Sequence, residues 1–303
     1  MSLIRKREEL CAPQFIKAMI YGSPGVGKTT LALSAPKPLL LDFDNGIHRA
    51  NFGHQTDTYP AVSWNEALQV LQENLSAYDT IIVDTIGKML DYITDYVDKQ
   101  RITGFKRWSA INDEFTKFTR TLHLMNKNII FVAHRDSRKE GDETVFIPAL
   151  REKNYTAIVT ELDLLGYVEM KGVNRSITFN PTARNDGKNT CNLAEFMTVP
   201  VVVDNAGGAL KNDFFTTQII KPYTENLAKR KQVGQDFEKT MTEVKEFIAL
   251  VTDERGCNDF ILKLDEFNHV GNSREKAKQL IHAKATELGL TLNRKEKRYE
   301  RAA

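Results

Sequence analysis

The chain has 303 residues, of which 41% are hydrophobic and 27% are charged, and its formal net charge is +2. This composition is typical of a globular protein with a large core, and it excludes a disordered, collagen-like or disulfide-rich chain. The small net charge neither requires nor excludes a nucleic-acid partner. The three cysteines, Cys11, Cys191 and Cys257, lack metal-ligand spacing, and no apolar run could span a bilayer. We therefore expect a cytoplasmic protein without a membrane partner.

The N-terminal part contains a complete phosphate-binding loop, Gly22-Ser23-Pro24-Gly25-Val26-Gly27-Lys28-Thr29, with the pattern G-x-x-x-x-G-K-[ST]. The apolar run 15–21 before it predicts a strand, and 30–35 after it predicts a helix that ends at Pro36. Glycines allow the backbone N–H groups to converge on phosphate oxygens, while Lys28 reaches the β- and γ-phosphates and Thr29 binds Mg²⁺. The sequence predicts an ATP and Mg²⁺ site at Gly22 to Thr30; a glycine-rich turn without ligand is the alternative.

Two later apolar runs end in carboxylates. The first, 38–44, ends in Asp42 and Asp44, which strand alternation places on one side; the second, 78–85, ends at Asp84. In a parallel sheet the carboxyl ends of the strands share one edge, so Asp84 is expected beside the loop as a second Mg²⁺ ligand. Alternatively, Asp84 caps the helix that follows it.

The rest of the chain alternates between predicted helices and strands. Helices are expected at 87–101 and 109–126, separated by a basic and aromatic linker, 103–108, which is either a single-strand-binding loop or a connector whose Trp108 covers the core. A buried strand, 128–134, ends at His134. A hairpin, 162–170 with 175–180, and a polar loop, 184–189, follow. The predicted domains are an ATPase core, 1–216, and a helical C-terminal region, 217–303, whose basic end, 294–301, reads as a solvated tail.

The order of these motifs resembles the RecA-like ATPase core. The motifs are the loop, Leu41-Asp42-Phe43-Asp44, Ile82-Val83-Asp84-Thr85 and Ile130-Phe131-Val132-Ala133-His134. More closely, residues 15–193 resemble the phage-encoded RecA-core proteins of the Sak type, which bind ATP and assist single-strand DNA annealing and recombination. The predicted fold is therefore α/β, a mostly parallel sheet flanked by helices, with a small helical C-terminal region.

The resemblance also implies roles for single residues. Asp44, with Asp42 beside it, would orient the attacking water, and His134 would sense the γ-phosphate. The family carries Glu and Gln at these positions, so either the water sits closer to Asp44 or hydrolysis is slow, and phosphate sensing is expected to depend on pH near neutrality. Alternatively, His134 is an ordinary hydrogen-bonded histidine at the end of a strand. In RecA-like assemblies a neighbouring subunit supplies a cation, for which Arg184 and Lys188 are the candidates; both are alternatively solvated loop charges.

We therefore expect an ATPase that binds single-stranded DNA through 103–108 and 140–145. It would form a homo-oligomeric ring or filament, and a single-strand-binding protein is a further candidate partner. The alternative is a nucleotide-gated module that hydrolyses ATP slowly and holds a partner protein with its C-terminal helices. A small-molecule kinase is disfavoured because no Arg-rich lid segment is present.

Overall fold

The computed structural model describes residues 13–293 and 296–301, which form two compact units that divide between Asn226 and Leu227. A ten-stranded sheet organises the first unit. Its strands are β1 (Lys17–Gly22), β2 (Pro38–Asp42), β3 (Thr58–Pro60), β4 (Thr80–Asp84), β5 (Asn128–Glu140), β6 (Glu143–Pro148), β7 (Leu164–Lys171), β8 (Asn174–Thr178), β9 (Lys188–Asn189) and β10 (Met197–Val199).

The sheet is mostly parallel. The strand order is β10-β8-β7-β1-β5-β4-β2-β3, and every pair from β7 to β3 is parallel. Strands β8, β9 and β10 add antiparallel pairs at one edge, and β6 pairs with the outer half of β5. The strands β1, β2 and β4 are almost continuously buried, as expected for parallel strands covered on both faces. The predicted α/β fold class is confirmed.

Helices cover the sheet. They are α1 (Lys28–Ala32), α2 (Trp64–Val70), α3 (Ile86–Lys99), α4 (Gly104–His123) and α5 (Glu152–Glu161), with short 3₁₀ turns at Ile47–Arg49 and Phe52–His54 and a π-helical segment at Phe215–Ile220. One hydrophobic cluster joins alternate strand residues, such as Met19, Ile81 and Phe131, to Ile93 of α3 and Phe115 of α4. Because alternate strand residues share a face, α2 to α5 pack on the same side of the sheet.

The predicted linker at 103–108 is wrong. Thr103 is the N-cap residue of α4, so the basic and aromatic residues lie in the first two turns of that helix. The helical spacing of Ile111, Phe115 and Phe118 extends back to Trp108, so the predicted helix began too late in the chain. Gly104 has φ +60°, which glycine adopts readily at the point where the chain turns into α4.

The second unit contains helices and one small hairpin. The helix α6 (Lys221–Ala249) begins in the first unit and ends in the second, followed by α7 (Glu254–Lys263), a 3₁₀ turn at Leu264–Glu266, and α8 (Ser273–Glu287). Strands β11 (Leu290–Asn293) and β12 (Arg298–Arg301) pair antiparallel, so the interpretation of the basic end as a solvated tail is wrong for 298–301, while residues 294 and 295 lie outside the described part of the chain. Tyr299 is buried, and its N–H and carbonyl groups both bond the side chain of Asn258, whereas its charged neighbours point outward.

Across residues 13–293 and 296–301, the helices all lack the combination of length and apolar character that bilayer crossing demands.

Candidate nucleotide-binding site

The phosphate-binding loop connects β1 to α1 at the carboxyl edge of the sheet. Gly25 and Gly27 have φ values of +78° and +82°, in the left-handed region that side chains other than glycine rarely adopt. Gly22 is needed for a different reason: a Cβ atom there would lie 2.3 Å from the carbonyl oxygen of Val168 on β7. The glycines of the motif thus serve both the shape of the loop and its close contact with the sheet.

Lys28 is buried and folds back over the loop. Its Nζ atom donates hydrogen bonds to the carbonyl oxygens of Gly22 at 3.1 Å and Ser23 at 2.9 Å. Burial lowers the pKa of Lys28, and the carboxylates of Asp84 and Asp44 partly offset this effect. The ammonium group is therefore held at the loop by two neutral acceptors, which phosphate oxygens could replace as stronger, charged partners.

Thr29 of α1 and Asp84 of β4 are in direct contact, although β5 separates β4 from β1, the strand that leads into the loop. The Thr29 hydroxyl donates a hydrogen bond of 2.5 Å to Oδ2 of Asp84. Burial raises the pKa of Asp84 to about 6, and the hydrogen bond from Thr29 acts in the opposite direction. Two oxygen ligands of the type that Mg²⁺ prefers are thus side by side at the loop.

The two predicted water-orienting carboxylates differ in their surroundings. Strand β2 ends at Asp42, so Asp44 lies in the turn after it and strand alternation does not place the two on one side. Asp42 is buried and accepts N–H bonds from Gly46 at 3.0 Å and Ile47 at 2.9 Å, one on each oxygen. Asp44 is paired with the exposed Arg49 at 3.0 Å. Asp42 holds the turn, and Asp44 remains the more accessible carboxylate.

His134 lies directly beside the loop, opposite Gly22 in the pairing of β1 with β5. Strand β5 continues to Glu140, so the prediction that the strand ends at His134 is wrong. Its Nδ1 atom is buried and has no hydrogen-bond partner among the described residues. Burial, and next the charge of Lys28, lower its pKa from the ordinary 6.5, so the imidazole is neutral at pH 7 and titrates in the acid range.

Arg184 and Lys188 lie outside this cluster. Arg184, in the loop after β8, has its guanidinium carbon 6.0 Å from the centre of the Phe146 ring. Lys188 lies on β9, opposite Leu165 near the amino end of β7, and donates to the carbonyl oxygens of Val159 and Thr160 at the end of α5. Lys188 therefore caps a helix, and Arg184 is the more accessible of the two cations.

The profile of a family described as "AAA domain" matches residues 14–191. The chain belongs to this AAA-domain family. The match begins just before β1 and includes the loop, Asp42, Asp44, Asp84, His134 and the β7–β8 hairpin. The predicted class, a P-loop ATPase, is confirmed at this level.

Two individual proteins are also similar to this AAA domain. The "SPbeta prophage-derived uncharacterized protein YorG" of Bacillus subtilis (strain 168) is 30% identical over 169 residues, which are 51% of this chain and 50% of that protein. The chain thus spans about half the length of this relative. The flagellar accessory protein FlaH from Methanocaldococcus jannaschii has 14% sequence identity and a TM-score of 0.38, over 65% of this chain and 87% of FlaH.

The AAA domain offers oxygen ligands that fit Mg²⁺. Within the described ranges, no group of three or more His, Cys, Asp or Glu side chains could hold a metal ion by itself. A P-loop site does not depend on such a group, because phosphate and water oxygens supply most of the ligands. Thr29 and Asp84 would supply the remaining ones.

Sequence reasoning missed one residue of the site. Arg175, on β8, lies against Gly27 of the loop: a Cβ atom on Gly27 would be 2.7 Å from the guanidinium carbon. Nothing in the motif order identifies an arginine almost 150 residues downstream of the loop. The contact arises only because β7 pairs with β1 and brings the hairpin to the loop.

Proposed function

We propose that this AAA domain is a Mg²⁺-dependent ATPase whose turnover is coupled to single-stranded DNA, in a phage-related recombination or annealing process. The observation that carries the ATPase proposal is the contact between Thr29 and Asp84 beside the loop. The relative described as prophage-derived and the resemblance to Sak-type proteins support the phage context. Conversion of ATP to ADP and phosphate is the reaction proposed.

Each group of the site has a separate role in this proposed reaction. Backbone N–H groups of the loop bind the phosphates, and Lys28 neutralises charge on the transferred phosphoryl group. When bound, Mg²⁺ supplies further positive charge at the phosphates, and Thr29 and Asp84 would hold it. Asp44 accepts a hydrogen bond from the attacking water and orients it. His134, neutral at pH 7, donates or accepts a hydrogen bond near the γ-phosphate through its ring nitrogens.

The DNA proposal rests on one surface, the α4 aromatic face, which consists of Phe105, Lys106, Arg107, Trp108 and Arg151. The side chain of Phe105 is 90% exposed and that of Trp108 is 47% exposed, large fractions for aromatic residues. The guanidinium carbons of Arg107 and Arg151 lie 4.8 Å and 4.7 Å from the centre of the Trp108 ring. Arg107 also pairs with Asp98 at 2.5 Å, so Lys106 and Arg151 are the cations of this face that have no carboxylate partner among the described residues. Exposed rings for base stacking and cations for the backbone are the features that bind single strands.

The β5–β6 hairpin contributes less to this proposal. Its tip, 140–145, contains Glu140, Asp142 and Glu143, and these carboxylates repel phosphates. We therefore propose the α4 aromatic face as the principal DNA contact. A ring or filament would require a cation from the neighbouring subunit, and Arg184 is the proposed source because Lys188 caps α5.

One observation favours a second function, a nucleotide-gated interaction module with slow hydrolysis. Asp44 is paired with Arg49 at 3.0 Å. Because Arg49 donates a hydrogen bond to Oδ2 of Asp44, this carboxylate would orient water poorly until Arg49 moves. In this case nucleotide binding alone would control the attachment of a partner protein.

The rate of ATP hydrolysis with and without single-stranded DNA tests the proposal. We expect DNA to stimulate turnover several-fold in the wild type and not in the variant Phe105→Ala with Trp108→Ala. Phe52→Ala is the matched control, because Phe52 is also exposed, at 88%, and lies outside the α4 aromatic face. Unchanged turnover together with unchanged gel mobility at low salt would favour the interaction module instead.

A further inference from the structure

The arginine that lies on the phosphate loop is a candidate ligand for the nucleotide. Arg175 belongs to β8, which pairs with β7 so that Arg175 is opposite Met170. On the neighbouring strand, Gly22, the last residue of β1, is opposite Val168. The β7–β8 hairpin therefore extends beyond the end of β1, and Arg175 is held next to the loop by sheet pairing rather than by a flexible segment.

The guanidinium group faces Gly27 with its flat side. A Cβ atom on Gly27 would lie 2.7 Å from Cζ, 2.7 Å from Nη2 and 3.0 Å from Nη1 of Arg175. Three nearly equal distances place the group broadside against the glycine. The Nη atoms thus lie next to the backbone that is expected to cradle phosphate.

This cation has no anionic partner in the described parts of the chain. No hydrogen bond or ion pair of its side chain is formed there, and its Nε atom is buried and unpaired. The carboxylate on the same hairpin, Glu169, pairs with Lys171 at 2.9 Å. Burial lowers the pKa of Arg175, without an opposing contribution from a carboxylate. A half-buried, uncompensated guanidinium is unfavourable by itself, which suggests that it serves a ligand.

The position along the loop indicates which phosphates are involved. Arg175 and Thr30 line the same cleft of about 170 Å³, together with Met170 and the segment 199–203. Thr30 follows the Mg²⁺-binding Thr29, whereas the γ-phosphate side carries Asp44 and His134. The backbone of such a loop surrounds the α- and β-phosphates, and the lysine reaches the β- and γ-phosphates.

We propose that Arg175 is a nucleotide-binding residue that contacts the α- and β-phosphates of ATP and ADP within its own chain, a role that rests on the proposed function. The guanidinium group forms paired N–H···O bonds with phosphate oxygens, which suit its planar geometry. Because these phosphates are common to ATP and ADP, the residue holds both nucleotides and does not distinguish between them. Arg184 and Lys188 cannot substitute, since they lie elsewhere in the fold.

Isothermal titration with ATP and with ADP, each in excess Mg²⁺, tests this inference. Arg175→Met keeps an apolar stem over Gly27 and removes the charge, and we expect it to raise the Kd for ATP and ADP by a similar factor, about tenfold to a hundredfold. Arg175→Lys retains the charge without the fork and should recover part of the loss. Lys171→Ala, on the same hairpin, is the control and should leave both Kd values unchanged.

Thermal unfolding of the nucleotide-free protein separates binding from folding. Arg175→Met should unfold at or above the wild-type temperature, because it removes an uncompensated cation. Unchanged Kd values for both nucleotides in Arg175→Met, or a loss confined to ATP, would overturn the inference. If the wild type itself binds neither nucleotide, the proposed function fails first, so the two failures are distinguishable.

Discussion

The two sides of the phosphate loop have opposite electrostatic character. On the side of β2 and β4, three carboxylates, Asp42, Asp44 and Asp84, lie near the loop and influence one another. On the side of β7 and β8, Arg175 contacts Gly27, and none of the described carboxylates compensates its charge. The difference shows that the acidic side is suited to a metal ion and water, and the basic side to phosphate. Lys28 is bound to the loop carbonyl groups and interacts with the carboxylates of the acidic side.

The largest expected effect is the loss of this central cation. Lys28→Ala removes the ammonium group that folds back over the loop, and we expect ATP affinity to fall at least about a hundredfold. Titration calorimetry measures the change. If Lys28→Ala binds ATP as tightly as the wild type does, nucleotide is held somewhere other than the loop.

The next largest effect is expected on protein stability, at the place where the loop contacts β7 on the basic side. Gly22→Ala places a Cβ atom 2.3 Å from the Val168 carbonyl oxygen, and a backbone atom cannot move aside as a side chain can. We expect Gly22→Ala to lower the free energy of unfolding by about 2–3 kcal/mol, measured in urea. Gly25→Ala is the matched control: a Cβ there meets nothing within 4 Å, so only its φ of +78° is unfavourable. A loss near 1 kcal/mol is expected for Gly25→Ala. Equal losses in the two variants would show that β7 does not constrain the loop.

On the acidic side, the raised pKa of Asp84 should make the stability of the protein depend on pH. The folded protein raises the pKa of Asp84 from 3.8 to about 6, so folding favours the protonated carboxyl. Stability from this group is present below pH 3.8 and is lost as pH rises from 3.8 to 6. Above pH 6 the buried charge costs on the order of 3 kcal/mol.

Asp84→Asn removes that charge and can still accept the hydrogen bond from Thr29. We expect this variant to be more stable than the wild type at pH 7.5 without nucleotide, and the gain to shrink toward pH 4.5. Urea denaturation at the two pH values measures it. A gain that is independent of pH would assign the effect to something other than the ionisation of Asp84.

The sequence predicted the acidic side better than the basic side, for a physical reason. The loop and the strand ends at Asp42 and Asp84 are local signals, because parallel strands bring their carboxyl ends to one edge. Asp44 and His134 were placed by resemblance and lie near the loop. Arg175 depends instead on the pairing of β7 with β1, a contact between distant segments that no local pattern records.

Local sequence patterns also failed to predict the start of one helix and one short hairpin. The start of α4 was missed because Gly104 and the charged residues beside it interrupt the apolar periodicity. The β11–β12 hairpin was missed because Tyr299 is the single buried residue of β12, too weak a signal beside its charged neighbours. The start of α4 and the β11–β12 hairpin depend on tertiary contacts more than on local propensity.

The most direct test of the account is ATP binding by the wild type and by Asp84→Asn, measured with Mg²⁺ and with a chelator. If Thr29 and Asp84 hold the metal ion of a loop-bound nucleotide, Mg²⁺ should tighten ATP binding to the wild type about tenfold or more. The same addition should have little effect on Asp84→Asn. Equal affinity of the wild type for ATP in Mg²⁺ and in chelator would contradict the account.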